Sequence, residues 1–197
     1  SAASDVYKRQ VYDYSSSVEA FLRKIDGPKR IYIPESRVIN GGAPFVQPSL
    51  EAGHQIHFIP DASMMYYMKS CDGVFMGAES IYPDGTGFNT TGSDIVGLLC
   101  DYFHVPLYFI SPLIKLDVRM VYGKEKCTVI NDLRDKLEPV ANPKQLQGSI
   151  DYSAPELLAV SSRFIKAFIT EQGVIPATQL YDISMKYINC LLYTSPS

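Results

Sequence analysis

The sequence has no basic run and no stripe in which Arg or Lys alternates with aromatic residues. Its 18 Lys and Arg residues are outnumbered by 21 Asp and Glu residues, which gives a formal net charge of −3. Domains that bind nucleic acids are normally basic, because they neutralise phosphate groups. We therefore expect no direct nucleic-acid partner.

The cysteines are few and lack the spacing of a metal or redox motif. The three histidines form no ligand set either. We expect neither a metal nor a cofactor, and we interpret the four cysteines as free cytosolic thiols: Cys71, Cys100, Cys127 and Cys190.

Long apolar runs are also missing. No uninterrupted stretch approaches the ~20 apolar residues that a membrane helix needs, and the first residues do not have the pattern of a signal peptide. The sequence contains no internal repeats and no low-complexity tract. We therefore expect a cytoplasmic protein with no membrane partner.

What the sequence does contain is a regular alternation of strand-like and helix-like segments. Its 197 residues are 46% hydrophobic and 20% charged, which is typical of one or at most two globular domains. Strands that alternate with helices at this spacing predict a parallel, right-handed sheet. The predicted fold class is α/β, a Rossmann-like parallel sheet wound with helices on both faces.

The predicted elements follow from periodicity and from turn residues. Residues 116–150 have neither and are predicted as an extended loop with one short strand at 127–130, a region of the kind that is usually functional or a docking surface. We predict strands at 11–14, 30–36, 55–61, 73–81 and 106–111, and helices at 15–25, 44–52, 62–69, 90–103, 155–171 and 177–188.

Both ends of the chain differ in character from the residues between them. Residues 1–10, SAASDVYKRQ, and residues 190–197, ending in LLYTSPS, resemble translated sequencing-library adapter. Frayed natural termini are the alternative. We expect one α/β domain at 11–189, which would then be a fragment of a longer protein.

The most informative segment lies between residues 77 and 115. An apolar run ends near Glu79, a turn-rich loop comes next, and Asn89, Thr91 and Ser93 stand where the next helix is predicted to begin. Ligands collect beyond the carboxyl ends of strands in open parallel sheets, and anions collect at helix N-termini. A carboxylate that ends a buried strand also needs a partner. The segment therefore predicts a ligand site that includes Glu79.

Several motifs, taken in their order along the chain, resemble the motifs of one family. They are similar to the C-terminal domain of the regulatory (alpha, beta and delta) subunits of eukaryotic translation initiation factor 2B. That family also contains methylthioribose-1-phosphate isomerase and archaeal ribose-1,5-bisphosphate isomerase. The resemblance runs from Val11 to about Ile188 and is carried by YDYSSSV at 12–18, IYIPESR at 31–37, HFIPDAS at 57–63, GAES at 77–80 with the DG, N and GS after it, PLYFISPLIKLD at 106–117 and DYSAPELL at 151–158.

At the positions of the isomerase site that the resemblance implies, this chain has different residues. The isomerases have a Cys at the first turn and an Asp after Gly-Ala, where this chain has Asp13 and Glu79. Their Asn-Lys pair corresponds to Asn89 and Thr90. Two carboxylates can act as base and acid. A misplacement of ~1 Å can cost about 100-fold, however, and losing a contact between Lys and phosphate costs roughly 1.5–3 kcal/mol.

The resemblance therefore favours an alpha-like regulatory subunit that is not itself an enzyme. Such a subunit would form homo- or hetero-oligomers with sister subunits and support guanine-nucleotide exchange on initiation factor 2. A phosphorylated sugar or nucleotide is the implied ligand, and the implied contacts are Arg37, Glu79, Asn89, Thr91, Ser93 and Lys115. An aldose–ketose isomerase and a ligand-binding homologue of the same fold are the alternatives.

Other interpretations of these residues stay open. Thr91 and Ser93 are also typical helix caps, and Arg37 has Glu35 and Asp61 as candidate ion-pair partners. The DGTG turn does not have the spacing of a dinucleotide fingerprint. The run MMYYM at 64–68 is too apolar for a solvated helix, so it predicts core packing, a subunit interface or both.

Overall fold

The computed structural model describes residues 7–124 and 126–193. Strands and helices alternate from Lys8 to Met76, and the rest of the described chain contains short strands and three further α-helices. The strands are β1 Lys8–Tyr12, β2 Arg30–Pro34, β3 Gln55–Ile59, β4 Gly73–Met76, β5 Ser80–Ile81, β6 Gly87–Thr90, β7 Leu107–Ile110, β8 Ile130–Asp132, β9 Ser153–Pro155, β10 Leu157–Val160, β11 Ala167–Thr170 and β12 Gly173–Pro176. The α-helices are α1 Ser16–Lys24, α2 Val46–Glu51, α3 Met64–Met68, α4 Ser93–Phe103, α5 Arg134–Ala141 and α6 Leu180–Tyr193.

Seven of the described strands form the main sheet, in the order β12-β11-β7-β4-β1-β2-β3. All neighbours in it are parallel except β11 and β12, which are antiparallel at one edge. The chain leaves β1 towards β2 and β3, but it leaves β4 in the other direction, towards β7 and β11. This order confirms the predicted doubly wound α/β fold and puts its topological switch point between β1 and β4.

Two apolar clusters hold the layers together, one on each face of the main sheet. Val18 and Leu22 of α1 pack with Val11 of β1 on one face. On the other face, Met68 of α3 and Val96 of α4 belong to the larger cluster. Strands β2, β4 and β7 are near-continuous apolar runs because both of their faces are covered.

The first half of the chain matches the predictions closely. The side chain of Ser15 caps α1 by accepting a hydrogen bond from the N–H of Val18, as the serine run indicated. Gly27 and Gly53, each at positive φ, lie just beyond α1 and α2. The sheet begins at Lys8, so three residues of the adapter-like segment 1–10 take part in β1. The expectation that both termini are foreign to the domain stays a prediction.

Three predictions beyond residue 86 are wrong. Residues 155–171 are not a helix, because Leu157–Val160 pairs antiparallel with β6 and Ala167–Thr170 pairs parallel with β7. The partner of β10 lies about 70 residues upstream, and a short apolar run such as LLAV has no period that separates strand from helix. The segment 87–90 is a strand of the same small sheet, β10-β6-β5, so α4 begins at Ser93 and not at residue 90. The predicted loop at 116–150 contains helix α5.

A buried amide in β1 lies among apolar residues. Gln10 is 0% exposed, and neither its amide nitrogen nor its amide oxygen has a hydrogen-bond partner in the described residues. Its neighbours across the sheet are Tyr32 and Val74. A buried polar group without a partner keeps its full desolvation cost.

We therefore expect Gln10→Met to raise the free energy of unfolding by about 1–3 kcal/mol, since it keeps the volume and removes the unpaired amide. Urea denaturation measures this as a higher midpoint at an unchanged slope. Gln47→Met is the matched control, because Gln47 lies nearer the surface on α2, where its amide bonds to Glu51, and should change stability by less than about 0.5 kcal/mol. Equal stability of Gln10→Met and the parent chain would contradict the prediction.

Candidate functional site

The carboxyl ends of the parallel strands meet at one edge of the main sheet, which we call the C-edge. Asp13 follows β1, Ser36 follows β2, Asp61 follows β3, Gly77 follows β4 and Ser111 follows β7. The switch point between β1 and β4 lies on this edge. Crevices at switch points are where open α/β sheets bind ligands.

Asp13 is held in the switch-point crevice by three close approaches. It is 7% exposed and has a left-handed backbone at φ 56°. One carboxylate oxygen accepts a hydrogen bond from the N–H of Tyr14 at 2.9 Å, and the other accepts one from the hydroxyl of Thr90 at 2.7 Å. A Cβ atom on Gly41 would come within 2.0 Å of the first of these oxygens, so only glycine allows the loop after β2 to pass there.

The protonation of Asp13 reflects this environment. Burial raises the pKa of its carboxyl group above the ordinary value, and the hydrogen bonds from Thr90 and from the Tyr14 N–H lower it in part. A carboxyl with a raised pKa in a cleft is a candidate for acid–base work, although structural networks shift pKa values too.

The side chain of Tyr12 contacts the residues at which α4 begins. Its hydroxyl donates a hydrogen bond to the carbonyl of Thr91 at 2.9 Å, and a Cβ atom on Gly92 would come within 2.0 Å of that hydroxyl. Gly92 has φ 98° and is the N-cap residue of α4. Burial, reinforced by the negative charge of Asp61, raises the pKa of Tyr12, so the hydroxyl stays a donor.

Arg37 forms an ion pair with Glu35, one of its two candidate partners. Its guanidinium lies 3.5 Å from the carboxylate of Glu35, and the side chain is exposed. The second candidate partner, Asp61, instead accepts hydrogen bonds from the backbone N–H groups of Ser36 and Arg37, both at 2.9 Å. Asp61 thus fixes the turn after β2 and leaves the guanidinium at the surface.

Glu79 and Lys115 lie on the other side of the switch point. Glu79 is exposed, so the expectation that it ends a buried strand and needs a partner is wrong. β4 stops at Met76, and the backbone N–H of Glu79 already pairs with Phe88 in the small sheet. The Lys115 amino group donates to the carbonyl of Ala78 at 2.5 Å, so it reaches the end of β4.

The three predicted donors near α4 are engaged within the protein. Asn89 belongs to β6, so its placement at the start of a helix is wrong; its amide donates to the hydroxyl of Ser93 at 3.0 Å. The hydroxyl of Thr91 donates to the carbonyl of Pro155 at 2.7 Å. The helix-cap alternative is also wrong for both Thr91 and Ser93, since α4 has no side-chain cap hydrogen bond.

The groups that hold Asp13 were not predicted from the sequence as parts of the site. The sequence indicated Thr90 only as the counterpart of a lysine in the isomerases. The Gly41-Gly42 pair after a predicted strand was a usable signal, because glycine is needed where backbones approach closely. The contact between Asp13 and Thr90 spans 77 residues and has no local signal.

Two cavities flank this region. One of about 420 Å³ lies beside the C-edge, with Tyr12 and Asp61 among its polar groups and Met64, Ile95 and Leu99 among its apolar ones. The other, of about 470 Å³, lies over the small sheet. Neither lining includes Asp13, Arg37, Glu79 or Asn89, so the site that the resemblance implies for these residues stays a prediction.

The described residues contain neither a metal-binding cluster nor a helix that could span a membrane. Among residues 7–124 and 126–193, no group of three or more His, Cys, Asp or Glu side chains is arranged to hold a metal ion. In the same part of the chain, no helix combines the length and hydropathy needed to span a membrane. Burial raises the pKa of the thiols of Cys71 and Cys100, which makes both poor nucleophiles.

Known proteins share this sequence pattern. The model of the initiation factor 2 subunit family matches residues 10–177. Ribose 1,5-bisphosphate isomerase of Methanocaldococcus jannaschii is 25% identical over 162 residues, which cover 82% of this chain and 51% of the relative. Methylthioribose-1-phosphate isomerase 1 of Pseudothermotoga lettingae is 25% identical over 168 residues, which cover 83% of this chain and 48% of the relative. The chain thus spans about half the length of these relatives.

Solved structures share the fold. The delta subunit of initiation factor eIF-2B from A. fulgidus has a TM-score of 0.73 at 19% identity, over 88% of this chain and 54% of its own. The 5-methylthioribose 1-phosphate isomerase of Pyrococcus horikoshii OT3 has a TM-score of 0.72 at 16% identity, over 93% of this chain and 55% of its own. Factor subunits and isomerases are therefore matched about equally well by the backbone.

The environment of Asp13 predicts how stability depends on pH. Because burial raises the pKa of this carboxyl in the folded state, the folded chain holds the proton at pH values where the unfolded chain has released it. The contribution of Asp13 to stability is then present below the unfolded pKa of about 3.9 and is lost as the pH rises through the folded pKa.

We expect Asp13→Asn to remove this dependence and to match or exceed the parent chain in stability at pH 7. Asparagine tolerates the left-handed backbone and can pair with both Tyr14 N–H and Thr90. Asp13→Ala should cost about 1–3 kcal/mol, since it leaves Thr90 without its acceptor and puts alanine at positive φ. Urea denaturation between pH 4 and 8 measures both, with the exposed Glu79→Gln as control. A parent-like pH dependence in Asp13→Asn would contradict the prediction.

Proposed function

The chain belongs to the initiation factor 2 subunit family, and on that basis we propose that it is a regulatory subunit of an initiation factor 2B complex. In this proposal it assembles with itself or with sister subunits in the cytoplasm and supports guanine-nucleotide exchange on initiation factor 2. It does not catalyse the exchange. Its C-edge keeps a pocket for a phosphorylated sugar or nucleotide as a regulatory site.

The state of Asp13 is the observation that carries this proposal. A proton-transfer catalyst needs a carboxyl that the substrate can reach, whereas both oxygens of Asp13 already accept hydrogen bonds and the residue is nine-tenths buried. A catalytic group must lie within about 2.6–3.2 Å of the heavy atom whose proton it moves. The Thr90 hydroxyl occupies that distance on one side of Asp13, which favours a structural role.

Glu79 supports the same conclusion. It is exposed, and exposed carboxylates have neither the desolvation nor the fixed geometry that acid–base catalysis uses. An isomerase needs two groups that act on one substrate. Here one candidate is buried and engaged, and the other is in solvent.

The cations at the C-edge support an anionic ligand. The pair between Arg37 and Glu35 is exposed, and such pairs are worth only about 0–1 kcal/mol, so a phosphate can displace the carboxylate. Arginine binds phosphate through two parallel hydrogen bonds. Lys115 is exposed as well and reaches the end of β4. We propose these two residues as the main phosphate contacts, with Glu79 at the rim.

The second candidate is a sugar-phosphate isomerase. Two observations favour it: the relatives from M. jannaschii and P. lettingae are named as isomerases, and burial raises the pKa of Asp13 in the direction that suits a general acid. In this alternative Asp13 and Glu79 would share the proton transfers of an aldose–ketose conversion.

Purification of the full-length protein tests the first proposal against the second. We expect sister subunits to co-purify with it, and we expect no turnover of ribose 1,5-bisphosphate or methylthioribose 1-phosphate. Turnover that Asp13→Asn or Glu79→Gln abolishes would instead establish the isomerase. A protein that neither turns over these substrates nor joins sister subunits would contradict both candidates.

A thermal-shift titration with ribose 1,5-bisphosphate tests the pocket. Ligand at about 100 times its Kd should stabilise the fold by roughly 2.7 kcal/mol. We expect Arg37→Ala to weaken binding about tenfold or more, because a charge-assisted contact is lost. Arg23→Ala is the matched control, since Arg23 is paired with Glu19 in the last turn of α1, away from the C-edge. Equal Kd values for the two variants would contradict the assignment of Arg37.

A further inference from the structure

The cavity of about 470 Å³ over the small sheet has the walls of a small-molecule site. The rings of Tyr82 and Phe88 meet edge to face in its lining, with their centroids 4.6 Å apart. Leu157 and Leu158 of β10 add aliphatic surface. Sites for small molecules have volumes of about 300–1,000 Å³ and combine mostly apolar walls with a few placed polar groups. The polar groups of this cavity therefore indicate what it could bind.

One of these polar groups is a carboxylate oxygen without a partner. Asp94, in the first turn of α4, lines the cavity, and its Oδ1 atom is buried with no hydrogen-bond partner in the described residues. The helix dipole favours a negative charge in a first turn, but it does not satisfy a buried oxygen. The other carboxylate in the lining, Asp84, is exposed and accepts a hydrogen bond from the N–H of Thr86 at 2.8 Å. Asp94 is thus the carboxylate that needs a donor.

Lys126 brings the opposite charge to the same cavity. Its amino group lies 5.5 Å from the centroid of the Phe88 ring and donates a hydrogen bond to the hydroxyl of Ser80 at 3.1 Å. Its backbone N–H donates to the hydroxyl of Tyr82, which fixes the position of the residue. Lys126 therefore does not supply the donor that Asp94 Oδ1 lacks. The cavity holds two opposite charges that do not satisfy each other.

We propose that this cavity binds a free amino acid with a large apolar side chain. The α-ammonium group donates to Asp94 Oδ1, the α-carboxylate pairs with the amino group of Lys126, and the side chain packs on Phe88 and Leu157. An anion alone would leave the Asp94 oxygen unpaired, and a cation alone would meet Lys126 without a counter-charge. A zwitterion satisfies both groups through charge-assisted hydrogen bonds.

This site goes beyond the proposed function, because it takes a ligand of a different class at a different place. Neither Arg37 nor Lys115, the proposed phosphate contacts of the C-edge, lines the cavity. An amino acid bound here would report on the supply of building blocks for protein synthesis, whereas the C-edge would report on a phosphorylated ligand.

Isothermal titration calorimetry of the full chain with L-phenylalanine tests the proposal. We expect saturable binding with a Kd below about 10 mM. N-acetylphenylalanine lacks the ammonium charge and phenylalaninamide lacks the carboxylate, so each should bind roughly 10- to 100-fold more weakly, as expected for the loss of one charged hydrogen bond. No binding of phenylalanine, or equally tight binding of either analogue, would overturn the proposal.

Two nearly isosteric substitutions test the assigned residues. Asp94→Asn and Lys126→Gln should each raise the Kd for phenylalanine about tenfold or more, because each removes one charge. Asp101→Asn is the matched control on the same helix, since Asp101 lies outside this cavity and pairs with Arg163.

The results separate this inference from the proposed function. A Kd for phenylalanine that stays unchanged in Asp94→Asn or in Lys126→Gln would overturn the assigned site alone. A chain that binds phenylalanine as expected but does not bind ribose 1,5-bisphosphate would support this site and contradict the proposed C-edge pocket alone.

Discussion

The hydrogen bond between Thr90 and Asp13 joins the main sheet to the three-stranded small sheet at the topological switch point. Asp13 ends the first strand of the main sheet, and Thr90 ends the central strand of the small sheet. Because the acceptor is buried, losing either partner leaves a polar group without compensation. The loop that carries Gly41 packs so closely on this carboxyl that a Cβ atom at residue 41 would come within 2.0 Å of it. The geometry of the C-edge therefore depends on this one contact.

This contact also bears on which of the two functions named among the relatives fits this chain. In an acid–base catalyst the carboxyl at the switch point would face the substrate, and its raised pKa would be used in the reaction. Here the hydroxyl of Thr90 and a backbone N–H satisfy it from inside the protein. The groups that remain accessible at the C-edge are exposed charges, Arg37, Glu79 and Lys115, and these suit binding rather than proton transfer. The proposed regulatory role follows from that division.

The sequence was sufficient to predict five strands of the main sheet, but not its strands β11 and β12 and not the small sheet. Strands β2, β4 and β7 are mostly buried apolar runs, and β1 and β3, which mix polar and apolar residues, are each followed by a helix, so local pattern predicts all five. The small sheet forms when residues 157–160 pair with residues 87–90, and nothing local distinguishes LLAV from a helical segment. The site was predicted only in part. Asp13 and Arg37 lie just beyond the ends of β1 and β2, two of the predicted strands, whereas the strand predicted to reach Glu79 stops at Met76. The hydrogen bond from Thr90 to Asp13 was not predicted, because Thr90 belongs to the small sheet.

A double-mutant cycle on Asp13→Ala and Thr90→Val measures the central contact most directly. The strain of alanine at positive φ occurs in both variants that contain it and cancels in the cycle, so the coupling energy reports the side-chain contact. We predict a coupling of about 1–3 kcal/mol in the free energy of unfolding, as for a buried hydrogen bond to a carboxyl group. Effects that add within about 0.3–0.5 kcal/mol would show that the two residues are independent, and they would contradict the central role of this contact.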